Sequence, residues 1–398
     1  MRYFIIAGEA SGDLHGSNLI RGLLKADKDA EIFFYGGDRM REAGGTLLSH
    51  YRNTAVMGYV EVVMRLGTVL GSLRRCRRDI RSLCPDMIIL IDFPGFNMKM
   101  AKFARTLGIP VVYYISPKIW AWKRWRIKAI RRDVSRMYII LPFEKDFYDS
   151  YNFDTHYFGN PLVDEIDRYH RSAPSGVRLR ESLGLDERPV ISLFPGSRRD
   201  EVRRILPPML SVIKYYPDYQ FLIAASDSVA SDLYQSIAGS YDVKPVFNRS
   251  YDLLALSEVA VVKSGTSTLE AALMNVPQIV CYKVSPISFL IGKMLIRGIR
   301  FVSLVNLLMD KQVVKELLQG QMKERNLVNE INSIITGGWK RHIMKNNYAT
   351  ISSMMCKPGV SDRVAGDIVK YGNSLQGVST REEGRRSRSD GFSGNDSF

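Results

Sequence analysis

At 398 residues and 45% hydrophobic content, the chain is long enough for two or three domains with ordinary buried cores. Its four cysteines are scattered without a CxxC pair, which argues against a disulfide framework or a zinc site, and no apolar run is long enough to span a bilayer. The net charge of +15 asks for an anionic counterpart: nucleic acid, anionic lipid or a phosphorylated substrate.

The first residues, Met1 to Gly8, are too short an apolar run for a signal peptide and lead directly into a strand–turn pattern. Short β-rich runs follow at 3–7, 32–35, 87–91, 111–115 and 138–141, each with a turn and then a helical pattern behind it. This alternation predicts a parallel sheet with helices on both faces, and ligands on such sheets bind beyond the carboxyl ends of the strands. The stretch from Gly159 to Gly176, with Asn160-Pro161 and Ala173-Pro174-Ser175-Gly176 around a polar run, reads as a hinge. The alternation restarts with strands at 190–194, 219–224, 245–247, 259–262 and 279–282, so a second similar domain is expected, with a ligand cleft between the two. The resulting division is 1–165, 166–325, amphipathic helices packing back across both domains at 326–371, and a basic tail at 372–398 too poor in apolar residues to fold.

The most informative stretch runs from Val259 to Met274. A β-branched strand spans 259–262, Ser264-Gly265 supplies a turn, and Ser267 with Glu270 fits a capping box that opens a helix. A small-residue loop and a helix amino end together present N–H donors and partial positive charge, which suits a diphosphate. Glu270 either caps its own helix or turns outward to accept hydrogen bonds from a ribose.

Other strand ends carry polar groups. Glu9, Ser11, Asp13 and His15 after the first strand either hydrogen-bond a sugar or cap the next helix. Asp92 in Ile91-Asp92-Phe93-Pro94-Gly95 is a general base with a pKa raised by desolvation, or holds the Pro-Gly turn by an Asx-type bond. Arg198 in Pro195-Gly196-Ser197-Arg198 sits at a helix start, where it can pair with two phosphate oxygens. Neither GxGxxG nor GxxxxGK[ST] occurs, which argues against nicotinamide and P-loop chemistry.

The apolar positions Val56, Val60, Val63, Leu66 and Leu70 share one helical face, and Arg74-Arg75-Cys76-Arg77-Arg78 follows them. The pairing suggests a membrane-surface element, with Ile287 to Phe301 as a second candidate. Trp120, Trp122 and Trp125 interleave with basic residues, but no nucleic-acid-binding signature accompanies them, so no nucleic acid partner is expected.

Taken together, GEASGD (8–13), VMGYVEV (56–62), IDFPGFN (91–97), YYISPKIWAW (113–122), LPFEKDFY (141–148), PGSR (195–198), SGTSTLEAAL (264–273) and SLVNLL (303–308) occur in the order found in one family. The chain resembles the lipid-A-disaccharide synthases from about Tyr3 to Val369, with Arg204 at a position expected to be apolar and the tail as an addition.

That resemblance implies an α/β protein of GT-B architecture: two Rossmann-like, doubly wound domains facing a central cleft. It implies an inverting glycosyltransferase that joins UDP-2,3-diacylglucosamine to 2,3-diacylglucosamine 1-phosphate through a β-1′,6 linkage, releasing UDP, with no metal or cofactor. By the same resemblance Asp92 is the base and Arg198 the diphosphate partner. Ser264, Gly265, Thr266, Ser267, Glu270 and Asn306 line the nucleotide, and Glu9 and Ser11 the sugar. Val60, Val62, Val63, Leu66, Val69 and Leu70 form an exposed apolar surface. The implied setting is the cytoplasmic face of the inner membrane, on an anionic surface, with a homodimer as one possible assembly. The alternatives left open are another UDP-sugar GT-B enzyme, of peptidoglycan-transferase or epimerase type, and a non-catalytic basic protein binding membrane or nucleic acid.

Overall fold

The computed structural model describes residues 1–53, 66–121, 123–285, 289 and 300–390. They form two compact units: 1–161 with 359 onward, and 162–358.

The first unit is built on seven parallel strands: β1 (Arg2–Ala7), β2 (Glu31–Gly36), β3 (Thr46–His50), β4 (Met87–Ile91), β5 (Val111–Tyr114), β6 (Arg136–Ile139) and β7 (His156–Tyr157), in the spatial order β3-β2-β1-β4-β5-β6-β7. β4 and β5 are buried along their whole length, as expected where helices cover both faces of a parallel sheet. Phe4, Ile6, Ile88, Leu90, Tyr113, Met137, Met100 and Phe103 belong to one continuous core.

The second unit carries six parallel strands: β8 (Val190–Phe194), β9 (Gln220–Ala225), β10 (Lys244–Phe247), β11 (Ser257–Lys263), β12 (Gln278–Tyr282) and β13 (Lys315–Leu318), in the order β10-β9-β8-β11-β12-β13. In both sheets the strand order reverses beside the first strand, between β1 and β4 and between β8 and β11. Ligand crevices of doubly wound sheets open at these two points.

The structure departs from the sequence reading in several places. β3, β7 and β13 are additional strands, and all three are edges of mixed polarity, where only one neighbour constrains the residues. β6 ends at Ile139 rather than Leu141, because the N–H groups of Ile140 and Leu141 donate to the Glu144 carboxylate instead of a strand.

Within the stretch read as a hinge, the boundary between the units falls at 161/162, and the polar run behind it is a helix, Leu162–Ser172, which buries Leu162, Val163 and Ile166 at helical spacing. The C-terminal helices are divided between the units: Glu324–Ile334 and Arg341–Met354 belong to the second, and Val360–Asp390 to the first. The break falls at Pro358-Gly359, where Gly359 has φ +91°.

The last helix continues past Gly372, where the sequence suggested an unfolded tail; Arg, Glu and Gln in this stretch are good helix formers. Residues 391–398 lie outside the described residues.

Candidate functional site

The β1/β4 crevice gathers most of the polar residues singled out in the first unit. β1 ends at Ala7, Glu9 is the extended residue before the helix Ala10–Ala26, and Ser11 lies exposed in its first turn. β4 ends at Ile91, and the next two residues, Asp92 and Phe93, both take left-handed conformations with φ of 43° and 47°. Such conformations cost about 1–3 kcal/mol each and persist only where the surroundings impose them.

Here the imposing contacts are explicit. The Asp92 N–H donates to Tyr114 O at 3.3 Å, and the Asp92 carbonyl accepts from Tyr113 Oη at 2.7 Å and Asn97 Nδ2 at 2.8 Å. Gly8 completes the arrangement, since a Cβ on it would lie 2.2 Å from the Phe93 ring. The turn is thus fixed by the main chain of Asp92.

Its carboxylate receives the Phe93 N–H and otherwise faces Glu9 and Lys118. Burial pushes the Asp92 carboxyl above its ordinary value, Lys118 pulls it back, and the neighbouring charge on Glu9 pushes it further up. Removing that charge in Glu9→Gln should move the acid limb of a pH–rate profile that reports Asp92 to lower pH; an unmoved limb would show that the two carboxylates do not interact.

Asp13 is a helix cap. Its carboxylate accepts the N–H groups of Gly37 at 2.8 Å, Met40 at 3.1 Å and Arg39 at 3.2 Å, at the start of the helix Asp38–Ala43.

Sequence reasoning missed Glu144, which holds the loop carrying Lys118. Ser116 Oγ and Trp120 Nε1 donate to its Oε1 at 2.7 and 3.0 Å, and Ile140 N and Leu141 N to its Oε2 at 3.1 and 3.0 Å. Burial pushes this carboxyl up, and those four bonds oppose the shift. Two of these donors, Ser116 and Trp120, come from a distant segment, so the sequence around Glu144 does not announce the role. Trp120 packs edge-on against Phe143, whereas Trp125 is exposed and Trp122 lies outside the described residues.

In the second unit, β8 and β11 run side by side, with Val262 opposite Phe194, so the loops after them start together. Arg198 is the residue before the helix Arg199–Leu210, its side chain half exposed, and Arg203 and Arg204 point to solvent. The turn after β11 is fixed by Ser264, whose N–H donates to Cys281 O at 2.9 Å and whose hydroxyl donates to Val302 O at 2.6 Å.

The next helix is Thr266–Leu273, with Gly265 before it and no side-chain cap. The capping box is therefore not made: Ser267 lies inside the helix, and its hydroxyl, like Tyr251 Oη at 3.1 Å, donates to the Glu270 carboxylate. Burial raises the Glu270 pKa against these two bonds. The first N–H groups of this helix have no intrahelical acceptor and lie beside Ser264 and Gly265.

Asn306 is a structural pin. Its Nδ2 donates to Val314 O and Glu316 Oε1, both at 2.9 Å, and its Oδ1 accepts Val313 N at 2.8 Å and Val314 N at 2.9 Å. All four hydrogen-bonding positions of the amide are used within the fold, which leaves none for a nucleotide.

Of the six apolar surface positions, Val60, Val62 and Val63 lie outside the described residues, as do the side chains of Leu66 and Val69; Leu70 is exposed. Leu70 stands on the helix Leu66–Leu83, which buries Leu73, Cys76 and Ile80. No helix among the described residues is long and apolar enough to cross a membrane. In the second apolar candidate, residues 286–288 and 290–299 lie outside the described residues.

The family described as lipid-A-disaccharide synthetase matches residues 3–357. The lipid-A-disaccharide synthase of Geobacter sulfurreducens is 38% identical over 376 residues, 93% of this chain and 97% of that protein. The chain belongs to the lipid-A-disaccharide synthase family.

The synthase of Myxococcus xanthus is 36% identical, again over 93% of this chain and 97% of its own length. Membership in the synthase family makes the chain a glycosyltransferase of lipid A biosynthesis.

Among solved structures, UDP-GlcNAc 2-epimerase from Neisseria meningitidis superimposes with a TM-score of 0.65 at 12% identity, covering 93% of this chain and all of the other. The S. aureus MnaA–UDP co-structure also gives 0.65 at 12% identity, covering 94% of this chain and 97% of the other. At that identity the likeness concerns fold, and it is the GT-B fold.

Proposed function

We propose that the chain transfers a 2,3-diacylglucosamine unit from UDP to the 6-hydroxyl of 2,3-diacylglucosamine 1-phosphate, with inversion at the anomeric carbon. The observation that carries this reading is the Asp92 carboxylate, with its pKa raised, on a main-chain turn strained and braced at the β1/β4 crevice. A base poised above the ordinary carboxylate range takes a hydroxyl proton more readily.

Asp92 accepts that proton as the hydroxyl oxygen bonds to the anomeric carbon and the bond to the UDP oxygen breaks. Negative charge then grows on the departing diphosphate. Arg198 and the amino end of Thr266–Leu273 act as fixed positive partners for it. The reading is tested by following UDP release from the acylated donor with the acylated acceptor phosphate. Equal release with a sugar that carries no acyl chains would instead favour a different UDP-sugar enzyme.

A diacylated acceptor stays in the bilayer, because two chains anchor stably, so the enzyme reaches it at the surface. We infer that the helix Leu66–Leu83 makes this approach. Arg74, Arg77, Arg78 and Arg81 line a groove of about 450 Å³ with Phe103 and Thr106, and the guanidinium groups of Arg77 and Arg81 stand 5.4 and 5.1 Å from the Phe103 ring centroid. A basic side chain near an anionic membrane surface is generally worth about 1 kcal/mol. Flotation with anionic vesicles should therefore weaken as salt rises, and weaken further when these four arginines become Gln. Salt-independent flotation would count against the electrostatic attachment.

A further inference from the structure

We propose that Lys263 is a second cation for the donor's diphosphate, held over the Ser264–Gly265 turn by Glu201; this rests on the reading that the second unit binds UDP. Lys263 is the last residue of β11, and its Nζ lies 2.8 Å from Glu201 Oε1. The same oxygen is 3.7 Å from Arg198 Nη1, so two cations from adjacent strand ends converge on one carboxylate oxygen.

Space is reserved for that carboxylate. Gly196 has φ +108°, and a Cβ there would come within 2.5 Å of Glu201 Oε2. The Lys263 ammonium stands 3.9 Å from where a side chain on Gly265 would begin, so it overhangs the turn that enters the helix Thr266–Leu273.

A lysine ammonium has three donors, of which Glu201 takes one. A nucleoside diphosphate carries more negative charge than one Arg neutralises, and the Lys263 ammonium reaches the turn where that charge would lie. A diphosphate at this turn would share the ammonium with Glu201. An ion pair with no further task would matter little to ligand binding.

Charges decide the test. Arg198, Lys263 and Glu201 sum to one positive charge, and so does Arg198 alone in the double variant Lys263→Met/Glu201→Gln. That variant keeps the long-range field and leaves no unpaired carboxylate. It removes the ammonium together with the carboxylate that Lys263 and Arg198 share, and keeps Arg198 itself.

Titration calorimetry on the full chain should show UDP affinity weakened about tenfold or more in Lys263→Met and in the double variant, the loss of one charge-assisted hydrogen bond. UMP affinity should change less than about threefold, as for a distant charge. Lys263→Arg, which keeps a cation at the turn, should retain most of the UDP affinity. If wild type binds UDP and both Met-containing variants bind it equally well, Lys263 has no part in diphosphate recognition and only this proposal falls. If wild type gives no saturable heat with UDP, the proposed function falls with it.

Discussion

Asp92→Asn should lower UDP release in the presence of both sugars by about two to four orders of magnitude, the usual worth of a positioned general base, with UDP affinity unchanged. The substitution isolates the carboxylate because the strained turn is held by the main chain of Asp92, through Tyr113, Tyr114 and Asn97. Asn tolerates the left-handed conformation well, so the backbone at this site is kept.

Stability gives an independent check. Burial holds the folded-state pKa of Asp92 above the ordinary aspartate value of 3.8. Its contribution to stability is therefore fully present below that value and is lost as pH rises through the folded pKa. At neutral pH the ionised group is a net cost that Asn does not carry. Asp92→Asn should thus melt no lower than wild type at pH 7, with that relative advantage disappearing in acid. Turnover within tenfold of wild type in a properly folded Asp92→Asn protein would remove Asp92 from the chemistry.

Arg198→Ala should slow turnover about tenfold to over a hundredfold, the worth of one charge-assisted hydrogen bond to a developing charge. Its side chain is 53% exposed, and its ion pair with Glu201 is long, at 3.7 Å, so the fold should be indifferent to its loss. Charge on the diphosphate grows as the sugar leaves, so the larger effect belongs in kcat rather than KM. Arg198→Lys should recover only part of the rate, because an ammonium cannot copy the two-point contact of a guanidinium with phosphate. A loss confined to KM, with kcat intact, would assign Arg198 to ground-state binding alone.

The sheets were largely legible in the sequence because parallel strands buried on both faces must be nearly continuous apolar runs. β1, β4, β8 and β11 announce themselves in this way. The edge strands β3, β7 and β13 do not, since half of their surroundings impose no rule.

Placement was legible for residues that follow a strand at a crevice, as Glu9, Asp92 and Arg198 do. They were not legible where function and support use the same residue types. Asn306 looks like a ligand contact in sequence, yet it bonds Val313, Val314 and Glu316. Asp13 looks like a sugar contact, yet it caps a helix from a distant segment. Glu144, Glu201 and Lys263 were missed because deciding partners come from distant segments: Ser116 and Trp120 for Glu144, and Lys263 and Glu201 for each other. Only the fold brings those partners together.

The order in which the two units can complete folding follows from where the helix Val360–Asp390 belongs. Residues 162–358 are one uninterrupted stretch, while the first unit needs residues from both ends of the chain. The helix Val360–Asp390 packs along Ala10–Ala26, close enough that a Cβ on Gly22 would approach the Cβ of Ala365 to 2.8 Å. During translation, unit 2 can reach its final core before that helix leaves the ribosome, whereas the amino-terminal half waits with one flank uncovered until that helix emerges.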